Sequence, residues 1–496
     1  MATEHLSPLD LAFWRIESAA HPMHLGALAV FTASGPDAAA RAAELLTARC
    51  AALPGLRRRI RDVLFPVGAA AWSPDPHFDP AHHVFLADAA AVGSRASGRD
   101  ASAPDASEQD ASAPGAVDAD ASEPDVADGY AAGAEALDPR AADPQVAAGP
   151  LMARPLDRSR PPWEAHVLAG PGRDSFAVLF KFHHALADGL GALALAAGLF
   201  DEALFAAPPA VRGPARPAPD PRDPGPLRRL PGILASRLQD VGQALEIGAA
   251  VARAGLPLGV PHALTADGTG VGVGTRTVAG LALDLDEVNL IRKAAGGTVN
   301  DVLIALVAGA LRRWLADRGD PVPRGPGPRA LIPVSRRRPG AAPGAGNRLS
   351  GYLLRLPLAE GDPLRRLDAV RSGMDRNKEA GPARGAGAVA LLADHVHPLG
   401  HRLGGPLVAQ AARLLYDILV TSVPLPGLTF TLGGSPVREV YPLAPLARGQ
   451  SLAVAVSTYK GTVHYGLVAD AAAVPDLAAL AGALRAELDA FVREIS

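Results

Sequence analysis

The sequence predicts an α/β protein of two lobes joined by a proline-rich linker. Its 496 residues correspond to two large domains or three ordinary ones, at roughly 150 residues per domain. Hydrophobic residues make up 48% of the chain, which is enough to build a sizeable core. Strand-like and helix-like stretches alternate on both sides of residues 208–226, a segment with more prolines than a core tolerates.

The first lobe is predicted over residues 1–207. Residues 25–31 form a short apolar run typical of a buried strand, and residues 37–53 have the apolar spacing of an amphipathic helix. A second strand is predicted over residues 175–182, and a helix-like stretch begins after it at Leu190. These elements predict the first α/β unit.

An acidic insertion interrupts this lobe over residues 91–148. It contains degenerate repeats that begin at Asp100, Asp105, Asp110 and Asp120, and it has almost no large apolar residues. Such a segment buries too little surface to offset the entropy of ordering it, which predicts disorder. A tolerated loop expansion is favoured over a functional tail.

Residues 208–274 are predicted to be the proline-rich linker followed by an amphipathic helix. Within residues 227–256, leucine, isoleucine and valine recur at helical spacing with arginines between them. Two interpretations stay open. A helix packed on its own protein is favoured over a basic helix that lies on a membrane surface.

The second lobe is predicted over residues 275–496. Its clearest helix covers residues 299–315, with Asn300 or Asp301 near the start. The other elements are strands at residues 330–334, 350–356 and 451–457 and a closing helix at residues 473–495.

Charge and cysteine content exclude several classes of function. The 48 basic and 51 acidic residues give a net charge of −3, so no polycationic surface for nucleic acid is indicated. Cys50 is the only cysteine, which excludes intrachain disulfides and cysteine metal sites. The sequence shows neither a secretory signal nor an uncharged apolar run of about 18 residues. A cytoplasmic protein is therefore expected.

The sharpest chemical feature is the pair His183-His184, followed by Asp188 and Gly189. The histidines lie at the end of the strand predicted over residues 175–182. An imidazole has an unperturbed pKa of about 6.5, so it can accept a proton at neutral pH. Asp188 can fix the local turn or neutralise an arginine, and Gly189 permits backbone geometry that a side chain would hinder.

Other interpretations of this pair are ordinary polar residues at a strand end, or a metal site. A metal site is disfavoured because there is no His-Glu-x-x-His pattern and no cysteine partner. A second pair, His82-His83, lacks the following aspartate and glycine and is assigned no catalytic role. No Gly-x-Ser-x-Gly motif is present, and Cys50 has no candidate histidine partner. A histidine base without a protein nucleophile indicates direct removal of a proton from a substrate hydroxyl.

The chain resembles one family, the bacterial bifunctional wax ester synthase/acyl-CoA:diacylglycerol acyltransferases. His183-His184-x-x-x-Asp188-Gly189 is similar to the family's active-site motif, which condensation domains and other CoA-dependent acyltransferases share. Further similar segments follow in the family's order: residues 6–10, Phe13, Met23-His24, Gly26, residues 151–163, Asn300-Asp301-Val302, and residues 333–336, 346–348, 441–442, 445–449, 459–461 and 466–470.

One block departs from the family pattern. The family usually has Ser-Asn-Val-Pro-Gly-Pro where residues 421–426 of this chain are Thr-Ser-Val-Pro-Leu-Pro. Ser422 replaces the asparagine and Leu425 replaces a glycine. This departure bears on the geometry of the loop and on any substrate contact there.

The resemblance implies two chloramphenicol-acetyltransferase-like lobes, with mixed sheets and flanking helices and an active-site channel between them. It implies that His184 is the general base, which deprotonates an alcohol or diacylglycerol so that its oxygen attacks the acyl-CoA thioester. His183 is expected to support position or pocket shape. Asp188 is expected to be structural, and Gly189 is expected to allow the turn.

The resemblance also implies Asn300 as a polar contact of the site and Asp301 as a structural residue. An equal alternative for Asn300 is that it caps its helix. No metal or redox cofactor is implied, because acyl-CoA is a substrate. The implied partners are acyl-CoA, diacylglycerol or a long-chain alcohol, and a membrane or lipid-droplet surface contacted peripherally, with no nucleic acid.

Three hypotheses of function result. The leading one is an acyl-CoA-dependent O-acyltransferase that makes triacylglycerol, wax esters or both. The second is a condensation-type acyltransferase that acts on carrier-protein thioesters, which the N-terminal signature disfavours. The third is a catalytically silent lipid-binding protein, which the complete histidine–aspartate–glycine string disfavours.

Overall fold

The computed structural model describes residues 4–97, 143–170, 174–186, 198–201, 264, 275–335, 349–380 and 415–496. The strands of these residues are β1 (Glu4–His5), β2 (His24–Thr32), β3 (Arg58–Asp62), β4 (Ala70–Pro74), β5 (Val84–Asp88), β6 (Trp163–Ala169), β7 (Ser175–His183), β8 (Arg276–Asp284), β9 (Arg329–Ser335), β10 (Leu349–Arg355), β11 (Ile418–Pro424), β12 (Thr431–Leu432), β13 (Ser435–Leu443), β14 (Leu452–Tyr459) and β15 (Thr462–Asp470). The helices are α1 (Pro8–Ile16), α2 (Ala38–Ala52), α3 (Ala89–Ser97), α4 (Pro144–Ala153), α5 (Leu285–Ala295), α6 (Val299–Asp317), α7 (Pro363–Ala380) and α8 (Leu477–Ile495).

The first large sheet has the strand order β12-β13-β2-β7-β6-β5. Its centre is the antiparallel pair of β2 and β7, in which His24 lies opposite His183. Strands β12 and β13 come from the C-terminal part of the chain, and β13 pairs antiparallel with β2. The chain therefore returns to the first sheet after it has built most of the second.

Side chains alternate between the two faces of β7, as the period of a strand requires. Phe180 and Phe182 lie on one face and pack in the core that includes α2. Ala177 and Leu179 lie on the other face and pack against α4 and against strands of the second sheet.

The second large sheet has the order β10-β9-β11-β14-β15-β8. It is mixed, because β11 pairs parallel with both β9 and β14 and the other pairs are antiparallel. Helices α5 to α8 cover one face of this sheet. The side chain of Trp314 in α6 is fully buried among them.

A small sheet with the order β1-β4-β3 supports the N-terminal helix. Helix α1 begins after Ser7, whose hydroxyl accepts a hydrogen bond from the backbone N–H of Asp10. Trp14 of α1 packs on Ile60 of the small sheet and on Ala185, the residue after His184. This packing fixes α1 beside the end of β7.

The structure confirms the predicted α/β class and eight predicted elements. These elements are β2, α2, β7, α6, β9, β10, β14 and α8, with ends that differ from the predicted ones by a few residues at most.

The predicted boundaries of the acidic insertion, residues 91–148, are wrong at both ends. Helix α3 extends to Ser97, and helix α4 begins at Pro144. Ala147 and Ala148 are fully buried against the second sheet, so this alanine-rich stretch gains order from tertiary packing. The middle of the insertion lies outside the described residues, as do the linker at 208–226, the segment at 227–256 and most of the helix predicted after Leu190.

Candidate active site

The two histidines of the pair lie on opposite faces of the first sheet. Strand β7 ends at His183, and the alternation of the strand places His184 on the same face as Phe180 and Phe182. His184 therefore lines a cavity of about 430 Å³, together with those two phenylalanines. His183 is directed to the other side, where it is 1% exposed.

His184 is held by its backbone and by one aromatic ring. Its backbone N–H donates to the carbonyl oxygen of Met23 at 2.8 Å. Its imidazole stacks on the ring of Phe13, with centroids 4.0 Å apart and planes 13° apart. Phe13 belongs to α1, so the N-terminal helix sets the orientation of the His184 ring.

His183 is held in one orientation by its neighbours. Its Nδ1 accepts a hydrogen bond from the backbone N–H of Ala185 at 2.9 Å. The proton of the neutral ring is thereby assigned to Nε2, which faces Oε2 of Glu17 at 3.5 Å. The ring of Trp14 packs edge-on against His183 at 5.0 Å between centroids.

Glu17 is a buried carboxylate behind the pair, and no sequence argument assigned it to the site. Oε1 lies 3.2 Å from Nε2 of His24 and accepts a hydrogen bond from the backbone N–H of Met23 at 3.1 Å. Arg158 adds a positive charge 3.8 Å from Oε2. Only position could have indicated Glu17, because it lies between two segments of the family resemblance, Phe13 and Met23-His24.

These contacts keep Glu17 ionised. Burial raises the pKa of its carboxyl, but the contacts with His183 and His24 outweigh burial, and the net pKa is well below its usual range. Burial lowers the pKa of His24 to about 4. At neutral pH the cluster therefore holds an anionic Glu17 beside a neutral His24.

The cavity is apolar and is built from both large sheets. The described side chains that line it are almost all hydrocarbon, and they include Leu25, Phe31 and Leu46 from the first lobe and Leu419 and Val423 of β11. Its volume lies within the range of about 300–1,000 Å³ that is usual for small-molecule sites.

The few polar groups of the cavity wall include hydroxyls. Ser457 is already engaged, because its Oγ donates to the carbonyl oxygen of Val440 at 2.6 Å. The cavity thus offers a hydrocarbon environment with His184 in its wall.

The structure brings Asn300 to the loop that departs from the family. Oγ of Ser422 donates to Oδ1 of Asn300 at 3.0 Å, and Ser422 lines the cavity. Asn300 does not cap α6, because the N-cap is Thr298. Asp301 closes that cap: its Oδ2 accepts from the backbone N–H of Thr298 at 2.8 Å and from its hydroxyl at 2.7 Å.

Asp188 and Gly189 lie outside the described residues, so their predicted roles stay predictions. Among the described residues no group of three or more histidine, cysteine, aspartate or glutamate side chains is arranged to hold a metal ion. Within the same residues no single helix has the length and hydropathy to cross a membrane. Helices α5 and α6 taken together are long and apolar enough, but they are bent by 101° at the break between them.

Comparison with known families decides the assignment. The family model described as the wax ester synthase/diacylglycerol acyltransferase catalytic domain matches residues 6–100 and 137–303, and the model of the family's C-terminal domain matches residues 345–491. The chain belongs to this family. The resemblance seen in the sequence is thereby confirmed.

Individual relatives agree with the family. The probable diacylglycerol O-acyltransferase tgs2 of Mycobacterium tuberculosis H37Rv is 28% identical, over 97% of each chain. The structure of the wax ester synthase/diacylglycerol acyltransferase from Marinobacter aquaeolei VT8 superposes with a TM-score of 0.63 at 20% identity, over 99% of each chain. The first condensation domain of the CDA synthetase matches with a TM-score of 0.53 at 15% identity, over 100% of this chain and 97% of the other.

These likenesses confirm the predicted two-lobed fold with mixed sheets. Membership of the wax ester synthase/diacylglycerol acyltransferase family makes the chain an O-acyltransferase, as predicted. The condensation domain shares the fold alone.

Proposed function

We propose that this acyltransferase moves a fatty acyl group from acyl-CoA to diacylglycerol, to a long-chain alcohol or to both, with His184 as the general base. The observation that carries the proposal is the position of His184 in the wall of an apolar cavity built from both large sheets. The cavity suits a hydrocarbon chain, and the imidazole suits removal of a proton from a hydroxyl.

The reaction needs no covalent intermediate on the protein. A ring nitrogen of His184 takes the proton of the acceptor hydroxyl while the hydroxyl oxygen forms a bond to the thioester carbonyl carbon. The tetrahedral intermediate then collapses and breaks the carbon–sulfur bond. The proton held by His184 passes to the leaving sulfur, so that the products are the ester and free CoA.

Glu17 supports this step as a positioning residue. Its Oε2 lies 3.5 Å from Nε2 of His183, while Nδ1 of His183 accepts from the backbone N–H of Ala185 and so fixes the turn. His184 lies between His183 and Ala185 in the chain, so these two contacts fix the backbone that carries it. Loss of the carboxylate therefore disturbs the orientation of the base rather than its chemistry.

Asn300 and Ser422 form the polar contact on the side of the second lobe. Their hydrogen bond involves Ser422, the residue that stands where the family usually has an asparagine. We expect this pair to orient the polar end of a substrate at the cavity wall. Asp301 keeps the N-terminus of α6 in place for that contact.

Both proposed acceptors are lipids, so we propose that the enzyme works in peripheral contact with a membrane or lipid-droplet surface. Acyl-CoA is the donor, and no metal ion or redox cofactor takes part in the proposed step.

The test is a transfer assay with the full chain. Purified protein is incubated with labelled palmitoyl-CoA and hexadecanol, diolein or no acceptor, and the lipids are separated. We expect labelled ester only with an acceptor, and a fall of about 10²–10⁴-fold for His184→Ala. His82→Ala is the matched control and keeps full activity.

Two outcomes contradict the proposal. If the protein binds the lipids but forms no ester with any acceptor, it is a lipid-binding protein without catalytic activity. Ester formation that His184→Ala leaves unchanged removes His184 from the reaction.

A further inference from the structure

The turn between β3 and β4, residues 63–69, presents large apolar side chains to solvent. We call this segment the hairpin tip. Leu64 is 96% exposed, Phe65 is 84% exposed and Val67 is 48% exposed. Clustered exposure of this kind marks an interaction site more often than scattered single residues do.

The hairpin tip is fixed at its base. Nη2 of Arg15 donates to the carbonyl oxygen of Gly68 at 3.1 Å and pairs with Oδ1 of Asp62 at 2.7 Å. The backbone N–H of Val63 donates to the carbonyl oxygen of Ala69 at 3.1 Å, which closes the turn. These contacts of the backbone and of Arg15 hold the conformation of the turn, and the apolar side chains point outward without taking part in them.

Arginines surround the base of the tip. A polar groove of about 590 Å³ adjoins it, and its wall contains four arginines and one aspartate. These residues are Arg15, Arg59, Arg61, Arg158 and Asp62. Arg61 is exposed and forms no ion pair with the described residues, so its charge is available to a ligand outside the protein.

We propose that the hairpin tip docks on an anionic lipid surface. Leu64, Phe65 and Val67 would enter the boundary between headgroups and acyl chains, and Arg61 would lie at the level of the lipid phosphates. Exposed apolar side chains beside the solvent-exposed charge of Arg61 complement a negatively charged lipid surface, because burial and charge favour the same orientation.

The same helix connects the docking surface to the site. Arg15 holds the hairpin tip, and the two preceding residues of α1, Phe13 and Trp14, contact His184 and His183. Docking at the tip thus places α1 and the catalytic pair close to the lipid surface. This inference rests on the proposed function only in that lipids are the substrates.

The test is co-sedimentation of the full chain with vesicles of phosphatidylcholine, with and without phosphatidylglycerol. We expect binding that requires phosphatidylglycerol and weakens as salt screens the arginines. The triple variant Leu64→Ser, Phe65→Ser, Val67→Ser should lose about tenfold or more in vesicle affinity. The single variant Arg61→Glu should weaken binding to the anionic vesicles only.

A matched control keeps the effect specific. Leu86 and Leu290 are 53% and 49% exposed on other parts of the surface, and the double variant Leu86→Ser, Leu290→Ser should bind vesicles like the wild type. Turnover of detergent-dispersed diolein should be equal in all these variants, because no change touches the catalytic pair.

Each other outcome is decisive. Wild-type ester synthesis combined with unchanged vesicle binding by the triple variant overturns the docking surface and leaves the proposed function intact. Failure of ester synthesis in detergent by the wild type contradicts the proposed function alone. If the triple variant has a lower particle mass in solution than the wild type and binds vesicles equally well, the hairpin tip is instead a contact between copies of this chain.

Discussion

The chain contains the dipeptide His-His twice, at His82-His83 and at His183-His184, and the two pairs have different surroundings. Both flank a strand of the first sheet: the first pair precedes β5, and the second includes the end of β7. In each pair one ring is buried and the other is more exposed.

The first pair is satisfied by local structure. His83 is buried, with its Nδ1 2.8 Å from the carbonyl oxygen of Trp163 and its ring stacked on the Trp163 ring at 4.6 Å between centroids. His82 faces solvent, and the nearest acidic partner is Asp79 at 3.9 Å. Neither ring lies in the wall of the apolar cavity.

The second pair has a carboxylate behind it and a cavity in front of it. Glu17 faces the buried ring of His183, and Phe13 and the cavity face the ring of His184. The comparison teaches that the dipeptide carries no function of its own. A partner more than 160 residues away in the chain distinguishes the two pairs.

The largest expected effect comes from His184→Gln, which keeps a polar side chain but removes the base. We expect kcat for ester formation to fall about 10²–10⁴-fold, because a positioned general base contributes that much. Release of CoA, followed with a thiol reagent, measures it. Equal losses in His184→Gln and in His83→Gln, with both proteins folded, would break the comparison.

Glu17→Gln tests the carboxylate that separates the pairs. We expect kcat to fall about 10–100-fold, because a displacement of the base by a fraction of an ångström is costly, while KM for acyl-CoA stays constant. Glu17→Asp should recover part of the loss. A variant that is merely destabilised would instead lose activity in proportion to its folded fraction, which circular dichroism reports.

The pH dependence of stability sharpens the contrast between buried and exposed histidines. Burial lowers the pKa of His24 to about 4. Between pH 6.5 and 4, His24 therefore binds a proton in the unfolded chain but not in the native state. The free energy of unfolding should therefore fall with falling pH in this window, by up to about 3 kcal/mol.

Urea unfolding at several pH values measures this dependence. His24→Gln should flatten it, and His82→Ala should leave it unchanged. His464, fully buried and with its pKa also lowered to about 4 by burial, should contribute in the same window. If His24→Gln leaves the pH dependence of the unfolding free energy unchanged, that dependence does not come from His24.

His83→Ala should have the smallest effect on catalysis. Removal of a buried ring and of its hydrogen bond should lower the free energy of unfolding by about 1–3 kcal/mol. Turnover per folded molecule should equal that of the wild type at a temperature well below the unfolding midpoint. Loss of turnover in fully folded His83→Ala would give the first pair a role that its contacts do not indicate.

Much of the fold was predictable because its elements have strong local patterns. Strand β7 and helix α6 are apolar runs of the right length and period, and their bounds agree with the predicted ones to within a few residues. The ends of the acidic insertion were mispredicted because alanine carries little local signal. Ala147 and Ala148 are ordered by the sheet that covers them.

The candidate site divides in the same way. His183-His184 and Asn300-Asp301 were found because each stands in a motif with a fixed spacing. Thr298, the true cap of α6, and the Ser422–Asn300 hydrogen bond were not found, because each depends on geometry that spacing does not state. Glu17 has no motif at all.

By itself, the sequence determined the α/β class, the candidate histidine pair and the family, because hydrophobic period and motif spacing are local properties of the chain. Tertiary structure alone decided which histidine faces the cavity wall, which carboxylate lies behind it and which apolar turn meets solvent. The physical reason is that burial and hydrogen bonding depend on neighbours in space. In this protein those neighbours, Glu17 of the first lobe and β11 of the second, come from opposite ends of the chain.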